Sequence, residues 1–475
     1  MSKIHGMMDV GKRSMMNSQT ALQTTGHNIA NKSTEGYSRQ RVELQTAEPL
    51  GMGKLRIGTG AKSAAITRTN NPYLEKQIQK EQANLGYLEG KADAMTRVEQ
   101  VYNEQMNKGL NQFSTDFFNS FREFANNPES LATRTQVKET ADHMTQDFAR
   151  VNKQLTEIQR DLDQQVAVQV DQVNEITKEL ASLNEKVQMV EASGAPANDE
   201  RDRRDLLIKQ LGQKINIRWA EGADGNVTVT AGQNALLVTG NEAKRLDVKS
   251  TPAEGAKGEG NFDVFYHNSE RSTAIRVTDQ LNGGSLGGLL EVRDKTINGL
   301  LDQVDNMAYT LGSTVNELHQ RGFDVYNKQG ATFFELPKEL KGASANLKLN
   351  EAIAKDVGKI ASAAQRDAPG DNRVANAISK LQFEGVIGDN KATLDEYYNS
   401  MVGEVGIQTR RTTTEQDSQK NIVNQLKNIR ESISGVSLDE ETTRLIEYQK
   451  GFDASARLIR TADEMFDTVL NLKRM

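Results

Sequence analysis

The first residues that could do chemistry form a phosphate-binding pattern at the N-terminus. Gly6, Gly11 and Lys12 have the GxxxxGK spacing of a loop whose backbone amides hold nucleotide phosphates. That loop needs a buried strand before it, and a Ser or Thr after the Lys to bind magnesium. Only five residues precede Gly6, and Arg13 takes the Ser/Thr position. We therefore predict no nucleotide site here.

A second pattern, GxSxG at residues 283–287, matches the turn that presents a nucleophilic Ser in α/β hydrolases. That chemistry requires a parallel sheet and a distant Asp and His. The only later histidine is His319, on the helix that this turn begins. A Ser at a helix start is commonly a cap, so we interpret Ser285 as the N-cap. The sequence thus predicts no catalytic residue.

Bulk composition argues against several other classes of site and partner. The chain has five scattered His and no Cys, whereas zinc needs three or four convergent ligands. Its net charge of −6 gives no basic footprint for nucleic acid. No apolar run approaches the roughly 18 residues of a membrane span. The N-terminus lacks the pattern of a cleaved signal peptide. We expect no cofactor, metal, nucleic acid or membrane partner.

Hydrophobic repeats of seven residues mark both ends of the chain. Near the N-terminus the repeat is Met8, Met15, Leu22 and Ile29, with small residues between. Such seams predict terminal helices that pair as a coiled coil. The C-terminal repeat, with Tyr448 at the three-residue offset, is Leu438, Leu445, Phe452, Ile459 and Phe466.

Between these ends the periodicity is mostly helical. Asn71 and Pro72 are typical of a helix start. A very long helix is predicted over about 129–190, with a break in its repeat at 164–170 that resembles a stutter. Alternation at period two predicts strands over about 213–282. Short helices over 323–392 and a long helix over about 394–433 follow.

The order of these segments predicts a chain that goes out and comes back. We predict a mainly α protein with a small β domain, and elongated, discontinuous, nested domains. The terminal coiled-coil domain would comprise 1–42 and 436–475, and a helical-bundle domain 43–212 and 283–435. The simplest nesting inserts the β domain, 213–282, at the tip.

A polar segment follows the first helix: "NIANKSTEGYSRQRVEL", residues 28–44. It resembles the Asn-rich signature of bacterial flagellar axial proteins, the rod, hook and hook-associated families. Tyr37-Ser38-Arg39-Gln40 is most similar to the hook-associated junction proteins. The C-terminal "GVSLDEETTRLIEYQKGFDASARLIRTADEMFDTVLNL" and the internal "ANDERDRRDLLIKQLGQKINI" and "GGSLGGLLEVRDKTINGLLDQ" resemble the same family. The resemblance covers most of the chain.

The resemblance implies an assembly role for both ends. It implies a structural protein at the junction between hook and filament, which allows the filament to assemble. The C-terminal seam residues would lie in that assembly. Tyr and Arg are frequent interface anchors, and we expect Tyr37 and Arg39 to be exposed. The opposing hypothesis is that the segment only turns the chain within a monomer. The connector and interface residues would be Asn28, Asn31, Thr34, Gly36, Tyr37, Ser38 and Arg39.

The family also implies partners and a location. The partners would be further copies in a ring, the hook protein, the next hook-associated protein, and an export chaperone on the C-terminal region. The protein would be extracellular, in the flagellum, and exported without a cleaved signal peptide. Three alternatives stay open: another axial protein such as a hook or rod protein, an enzyme domain carried on an axial scaffold, and a cytoplasmic coiled-coil adaptor.

Overall fold

The computed structural model describes residues 2–52, 55–103, 108–251, 261–268, 273–388 and 391–472. Parts of the predicted terminal domain (1 and 473–475) and of the predicted β domain (252–260 and 269–272) lie outside the described residues. The helices are α1 Ser2–Ala30, α2 Pro72–Val101, α3 Leu110–Asn126, α4 Leu131–Ala192, α5 Asn198–Lys214, α6 Gly284–Glu291, α7 Asn298–Gln320, α8 Ala343–Asn346, α9 Glu351–Lys355, α10 Arg373–Lys380, α11 Leu394–Ser434 and α12 Leu438–Leu472.

The described strands are mostly short. A π-helical turn, Val292–Ile297, joins α6 to α7. The strands are β1 Gln40–Thr46, β2 Leu50–Met52, β3 Leu55–Ile57, β4 Ala61–Arg68, β5 Ile217–Glu221, β6 Val227–Ala231, β7 Ala235–Thr239, β8 Glu242–Ala243, β9 Arg245–Ser250, β10 Phe262–His267, β11 Ile275–Arg276, β12 Phe334–Glu335 and β13 Lys348–Leu349. In the described ranges no helix is long and apolar enough to cross a membrane.

The terminal helices α1 and α12 pack antiparallel, which confirms the predicted pairing. The Oγ atoms of Ser14 and Ser455 are 2.7 Å apart, and a Cβ on Gly11 would lie 2.7 Å from Cγ1 of Ile459. Small residues at the seam let the two backbones approach closely. We call α1 and α12 the terminal pair.

A two-stranded ribbon follows α1, and the sequence did not predict it. Strands β1 and β4 pair antiparallel with an irregularity at Glu43/Leu44. The ribbon lies on α1, where the Asn17 side chain donates to Ala61 O at 2.8 Å and accepts from Ser63 N at 3.0 Å. The predicted domain boundary at 42/43 therefore falls inside β1. Residues of β1 are mostly exposed, so they lack the apolar alternation that signals a half-buried strand.

The helical body is built around α2, α4 and α11. Helices α2 and α11 are antiparallel: Arg430 Nε lies 2.9 Å from Glu75 Oε1, and the Tyr102 and Tyr398 rings are 6.4 Å apart at the other end. Helix α4 runs unbroken for 62 residues. Its buried stripe continues through the predicted stutter at Val166 and Val170, because the spacing there is four residues.

The β region lies beside the base of the body, which is the end next to the terminal pair. We expected it at the opposite end, the tip. Asn184 of α4 donates to Val227 O at 2.8 Å, and Asn174 donates to Leu246 O at 2.8 Å. These contacts lie in the C-terminal half of α4. The end of α4 leads into α5, which contacts β1 and β4 near the terminal pair. At 1.5 Å per residue, α4 is about 90 Å long, so it returns the chain from the far end of the body to the base before the sheets begin.

The far end of the body is an aromatic core. Phe117 and Phe121 of α3 pack against Phe333 and Phe334, with ring centroids 5.6–6.1 Å apart. All four rings are buried. The segment over 323–392 closes this end with α8, α9 and α10, in agreement with the short helices predicted there.

Candidate functional site: the joint between the terminal pair and the body

The polar segment after α1 forms a tight return into β1. Tyr37 N donates to Thr34 O at 3.2 Å, and Thr34 N donates to Asn31 O at 3.0 Å. Gly36 has a φ of +84°, which favours glycine. A Cβ there would also lie 3.1 Å from Cβ of Leu206. The run of hydrogen-bonding side chains therefore turns the chain at the junction with α5.

Asn28 is at the centre of this joint and is 2 % exposed. Its Nδ2 donates to Gln40 O and to Glu441 Oε2, both at 3.0 Å. Its Oδ1 accepts from the Tyr37 hydroxyl at 2.7 Å and from Gln40 N at 2.9 Å. This single amide uses both donors and two acceptor positions. It thereby connects α1, β1 and α12.

Arg39 connects the same segment to the ends of α11 and α12. Its Nε lies 2.8 Å from Oε1 of Glu441, a carboxylate only 1 % exposed. Its Nη1 lies 2.8 Å from Oε2 of Glu440, and its backbone N donates to Ser434 O at 2.9 Å. The buried carboxylate is thus paired with a cation and with an amide donor, as a buried charge requires.

Helix α5 supplies the acidic side of the joint. Ser38 N donates to Asp202 Oδ2 at 2.7 Å, and Gln40 Nε2 donates to Asp199 Oδ1 at 2.7 Å. Arg68 Nη1 lies 2.7 Å from Asp202 Oδ1 and 3.0 Å from Asp205 Oδ2. The N-terminal turns of α5 therefore hold both strands of the ribbon at the end where Gln40 pairs with Arg68.

Arg430 of α11 completes the joint from the body. Its Nη2 donates to Gly36 O at 3.0 Å and to Tyr37 O at 3.1 Å, while Nε donates to Glu75 at 2.9 Å. We call the whole network the polar clamp. Its members are Asn28, Tyr37, Ser38, Arg39, Gln40, Arg68, Glu75, Asp202, Arg430 and Glu441.

Burial controls the chemistry of Tyr37 in the clamp. Burial, with the nearby carboxylates of Asp199, Asp202 and Glu441, raises the pKa of Tyr37 well above its ordinary value. The phenol therefore stays protonated and remains a hydrogen-bond donor to Asn28. No nucleophile or proton-transfer pair results from this arrangement.

The predicted segment residues range from buried to exposed. Asn28, Tyr37 and Ser38 are buried, so our expectation of an exposed Tyr37 was wrong. Arg39 is partly buried. Thr34 is exposed and Asn31 is partly exposed. The polar pattern was recognisable in the sequence, but Glu75, Asp202, Arg430 and Glu441 were missed. They are remote in sequence, and nothing local distinguishes them from other charged residues.

The predicted C-terminal residues lie along the terminal pair and are only partly covered. Leu438 is 39 % exposed. A near neighbour of the seam, Ala462, is fully buried, and the ring of Phe466 lies 5.5 Å from that of His5. The five residues of intermediate exposure are Leu445, Tyr448, Phe452, Ile459 and Phe466.

The two catalytic patterns have structural roles. Gly6–Lys12 lies within α1, so there is no phosphate loop. Ser285 is not the N-cap that we predicted: Gly283 takes that position, and Ser285 Oγ donates to Gln169 at 2.8 Å. In the part of the chain that the structure describes, no three His, Asp or Glu residues come together as a metal site.

Comparison with known proteins matches both the body and the C-terminus. The model of the flagellar hook-associated protein FlgK helical domain matches residues 95–334, about half of the chain. The model of the flagellar basal body rod FlgEFG protein C-terminal matches residues 431–472. These two matches fall on the helical body and on the terminal pair, respectively.

Full-length relatives and a solved structure agree with these matches. Flagellar hook-associated protein 1 of Bacillus subtilis (strain 168) is 27 % identical, over 98 % of this chain and 97 % of the relative. The protein of that name from Escherichia coli (strain K12) is 23 % identical, over 96 % and 97 %. The flagellar hook junction protein FlgK from Burkholderia pseudomallei has the same fold, with a TM-score of 0.67 at 15 % identity, over 75 % of this chain and 100 % of that one. The chain therefore belongs to the flagellar hook-associated protein FlgK family.

Proposed function

We propose that this chain is a non-enzymatic structural subunit of the bacterial flagellum that joins the hook to the filament. The relatives support this location: one is named a flagellar hook junction protein and another flagellar hook-associated protein 1. It takes its mechanism from the terminal pair and the polar clamp. The protein would act by packing against other subunits, so the relevant site is a surface and not a cleft.

One observation carries the proposal: the terminal pair has apolar side chains along its length that the two helices leave partly exposed. Ser455 and Ala462 are buried between the helices, whereas Leu438 and Ile446 are 39 % and 52 % exposed. Each helix of the pair needs only one apolar stripe to pack against the other. Apolar side chains outside that stripe therefore stay exposed in the isolated pair. Packing of identical pairs side by side would cover the remainder.

The polar clamp would set the orientation of each pair. Glu441 of α12 and Asp202 of α5 both form hydrogen bonds with the segment 36–40, the first partly buried and the second buried. A ring of identical subunits requires the same geometry between pair and body in every copy. We propose that the predicted interface residues Asn28, Tyr37, Ser38 and Arg39 serve assembly indirectly in this way, and that Asn31 and Thr34 contact neighbours directly.

We propose a domain organisation in which the terminal pair forms the contacts with other subunits and the polar clamp orients the pair on the body. A terminal domain would contain the terminal pair and the ribbon, and the helical body would rise from it with the β sheets at its side. In the assembly, copies of the chain would form a ring. The hook protein would lie on one side of the ring, and the next hook-associated protein on the other. An export chaperone would bind the C-terminal region before secretion, which would need no cleaved signal peptide.

Replacing Phe452 by Asp tests the proposal. Phe452 lies in the half-buried seam, and the main core of the body contains no described residue of α12. A buried, unpaired carboxylate costs several kcal/mol, and this penalty would fall on assembly. We expect the thermal transition of the isolated variant to stay within a few degrees of wild type. Cells should keep hooks, lose filaments and release flagellin. Glu447→Ala, at an exposed position of the same helix, is the control.

Two further experiments separate the proposed function from a rival one. A hook or rod protein remains a candidate because the C-terminal match is to a rod protein family model. Cells lacking the whole chain would then lack hooks as well as filaments. Immunogold labelling of isolated flagella provides the location directly, and label along the entire hook would favour the rival. Normal filaments on Phe452→Asp cells would overturn the role of the terminal pair.

A further inference from the structure

Helix α11 has exposed apolar side chains in addition to the apolar side chains that it buries against α2. The C-terminal half of α11 packs on α2 through Val423 and Leu426, which are 2 % and 8 % exposed. Leu426 forms a small apolar cluster with Leu74 and Ile78. This seam is narrow, and it accounts for one apolar stripe on α11.

Three isoleucines form a second stripe beside that seam. Ile422, Ile429 and Ile433 are 42 %, 41 % and 42 % exposed. Their i, i+7, i+11 spacing places them within an arc of about 40°, roughly a quarter turn from the seam. We call them the isoleucine stripe. A helix with an apolar face this wide is typical of one that packs against two neighbours. About two-fifths of each of the three side chains stays exposed to solvent.

We propose that a second copy of this chain covers the isoleucine stripe in the assembled ring. This inference rests on the proposed function, which places identical copies side by side. The exposed apolar residues continue past the end of α11 to Leu438 and Ile446 of α12, at 39 % and 52 % exposure. The stripe is therefore continuous along the chain with the surface that we propose for the terminal pair.

Size and charge both favour an identical neighbour held in an array. Three side chains that are two-fifths exposed provide far less than the roughly 1,200 Å² of a stable interface. The contact would therefore form only where other contacts already hold the two copies together. The exposed α11 positions directly beside the stripe, Ser418 and Gln425, are uncharged. A strongly charged partner would find no complementary field there.

The contact in a ring is head to tail. A closed ring uses two different surfaces of each subunit, so the stripe of one copy meets a different surface of the next. Residue 429 would therefore not meet residue 429. The experiment must accordingly capture an unknown partner residue, which a photoreactive side chain does.

The test places the photoreactive amino acid p-benzoyl-phenylalanine at position 429 of the full chain in cells that assemble flagella. We expect an adduct of twice the chain mass, whose cross-linked peptides both come from this sequence. An adduct with a different axial protein, or no adduct in assembled flagella, would overturn the inference and leave the proposed function standing. Absence of the wild-type chain from isolated flagella would overturn both.

A matched pair of variants provides an independent readout. Ile429→Asp adds a charge to the stripe, and Asn424→Asp adds the same charge to an exposed position on the opposite side of α11. Both monomers should keep thermal midpoints within about 2 °C of wild type, because both sites are exposed. We expect only Ile429→Asp to reduce the number of filaments, by tenfold or more. Equal numbers for the two variants would contradict the inference.

Discussion

Asn28 shows how one side chain can hold three elements together. Its amide is shared among Tyr37, Gln40 and Glu441, and it is almost fully buried. No other side chain of similar size both donates twice and accepts twice in this geometry. The function of the residue is therefore to satisfy buried groups that belong to different segments of the chain.

Asn28→Ala should loosen the terminal pair from the body. The change leaves Gln40 N and Glu441 each short of a buried partner, and each loss costs about 1–3 kcal/mol. We expect faster amide exchange in α12 and little change in α4. Ser33→Ala, at an exposed position of the same segment, is the control. Unchanged exchange in α12 would mean that the clamp does not hold the pair.

His319 is a buried residue of the body with a purely structural role. Its Nδ1 lies 2.6 Å from Ala331 O, and its Nε2 accepts from Ala361 N at 2.8 Å. This arrangement requires the neutral ring with its proton on Nδ1. Burial lowers the pKa of His319 from 6.5 to about 4. A proton on Nε2 would oppose the Ala361 N–H.

The body should accordingly lose stability in acid. The unfolded chain binds a proton at this histidine below about pH 6.5, whereas the folded protein does so only below about pH 4. Stability is therefore complete above pH 6.5 and falls by roughly 3 kcal/mol as the pH drops to 4. Calorimetry from pH 7 to 4 should show a shallower decline for His319→Gln than for wild type. His143→Gln, at an exposed site, should follow wild type. A decline in His319→Gln as steep as in wild type would contradict this role.

Glycines decide how closely the helices of the body approach one another. Helix α2 crosses α6 where Gly90 faces the Ser285 carbonyl and Gly288 faces the Tyr87 carbonyl, and a Cβ on either would overlap the opposite backbone. Neither position has a positive φ. Space is therefore the reason for glycine here, because the two backbones touch.

Gly288→Ala and Gly403→Ala should change stability in opposite directions. At Gly288 the added methyl meets the backbone of α2, so we expect a loss of about 1–3 kcal/mol from overpacking. At Gly403, in the interior of α11, nothing lies within 4 Å of an added Cβ. There the higher helix propensity of Ala should contribute about 0.5–1 kcal/mol. Urea unfolding of the two variants measures both effects. A stabilised Gly288→Ala would show that the crossing relaxes.

At the scale of the molecule, one large core joins the helices to the sheets. Val229 and Val264 of the sheets belong to the same buried cluster as Leu180 of α4 and Leu286 of α6. Among the described residues this cluster contains none from α1, the ribbon or α12. We therefore expect the body to unfold as one unit that includes the β region, with the terminal pair attached to it by the polar clamp.

Two deletions should differ accordingly. A chain of residues 70–435 should melt near the transition of the body in the full-length protein, because its core is intact. A chain in which a Gly/Ser linker replaces residues 217–276 should unfold at a much lower temperature, because α4 would lose its buried contacts with the sheets. Calorimetry compares the stability of the two chains. Equal stability would mean that the sheets are not part of the core.

Much of the architecture could be predicted from the sequence by itself. Seven-residue repeats at both ends predicted the pairing of α1 and α12, because a regular apolar stripe needs a partner stripe wherever it folds. Asn71 and Pro72 marked the start of α2, and Asn71 does accept from Tyr73 N and Leu74 N. These features are local: they depend on periodicity and on hydrogen bonds between near neighbours.

Only the tertiary structure decided the polar clamp and the position of the sheets. Glu441 and Asp202 meet Arg39 and Ser38 across sequence separations of 402 and 164 residues. A charged residue that will be buried in a pair has the same local pattern as one in solvent, so no local feature indicates which residues will meet. The sheets lie beside the base because α4 is long enough to carry the chain back to it. Periodicity determines which face of an element is buried; the lengths and packing of all the elements together determine what it is buried against.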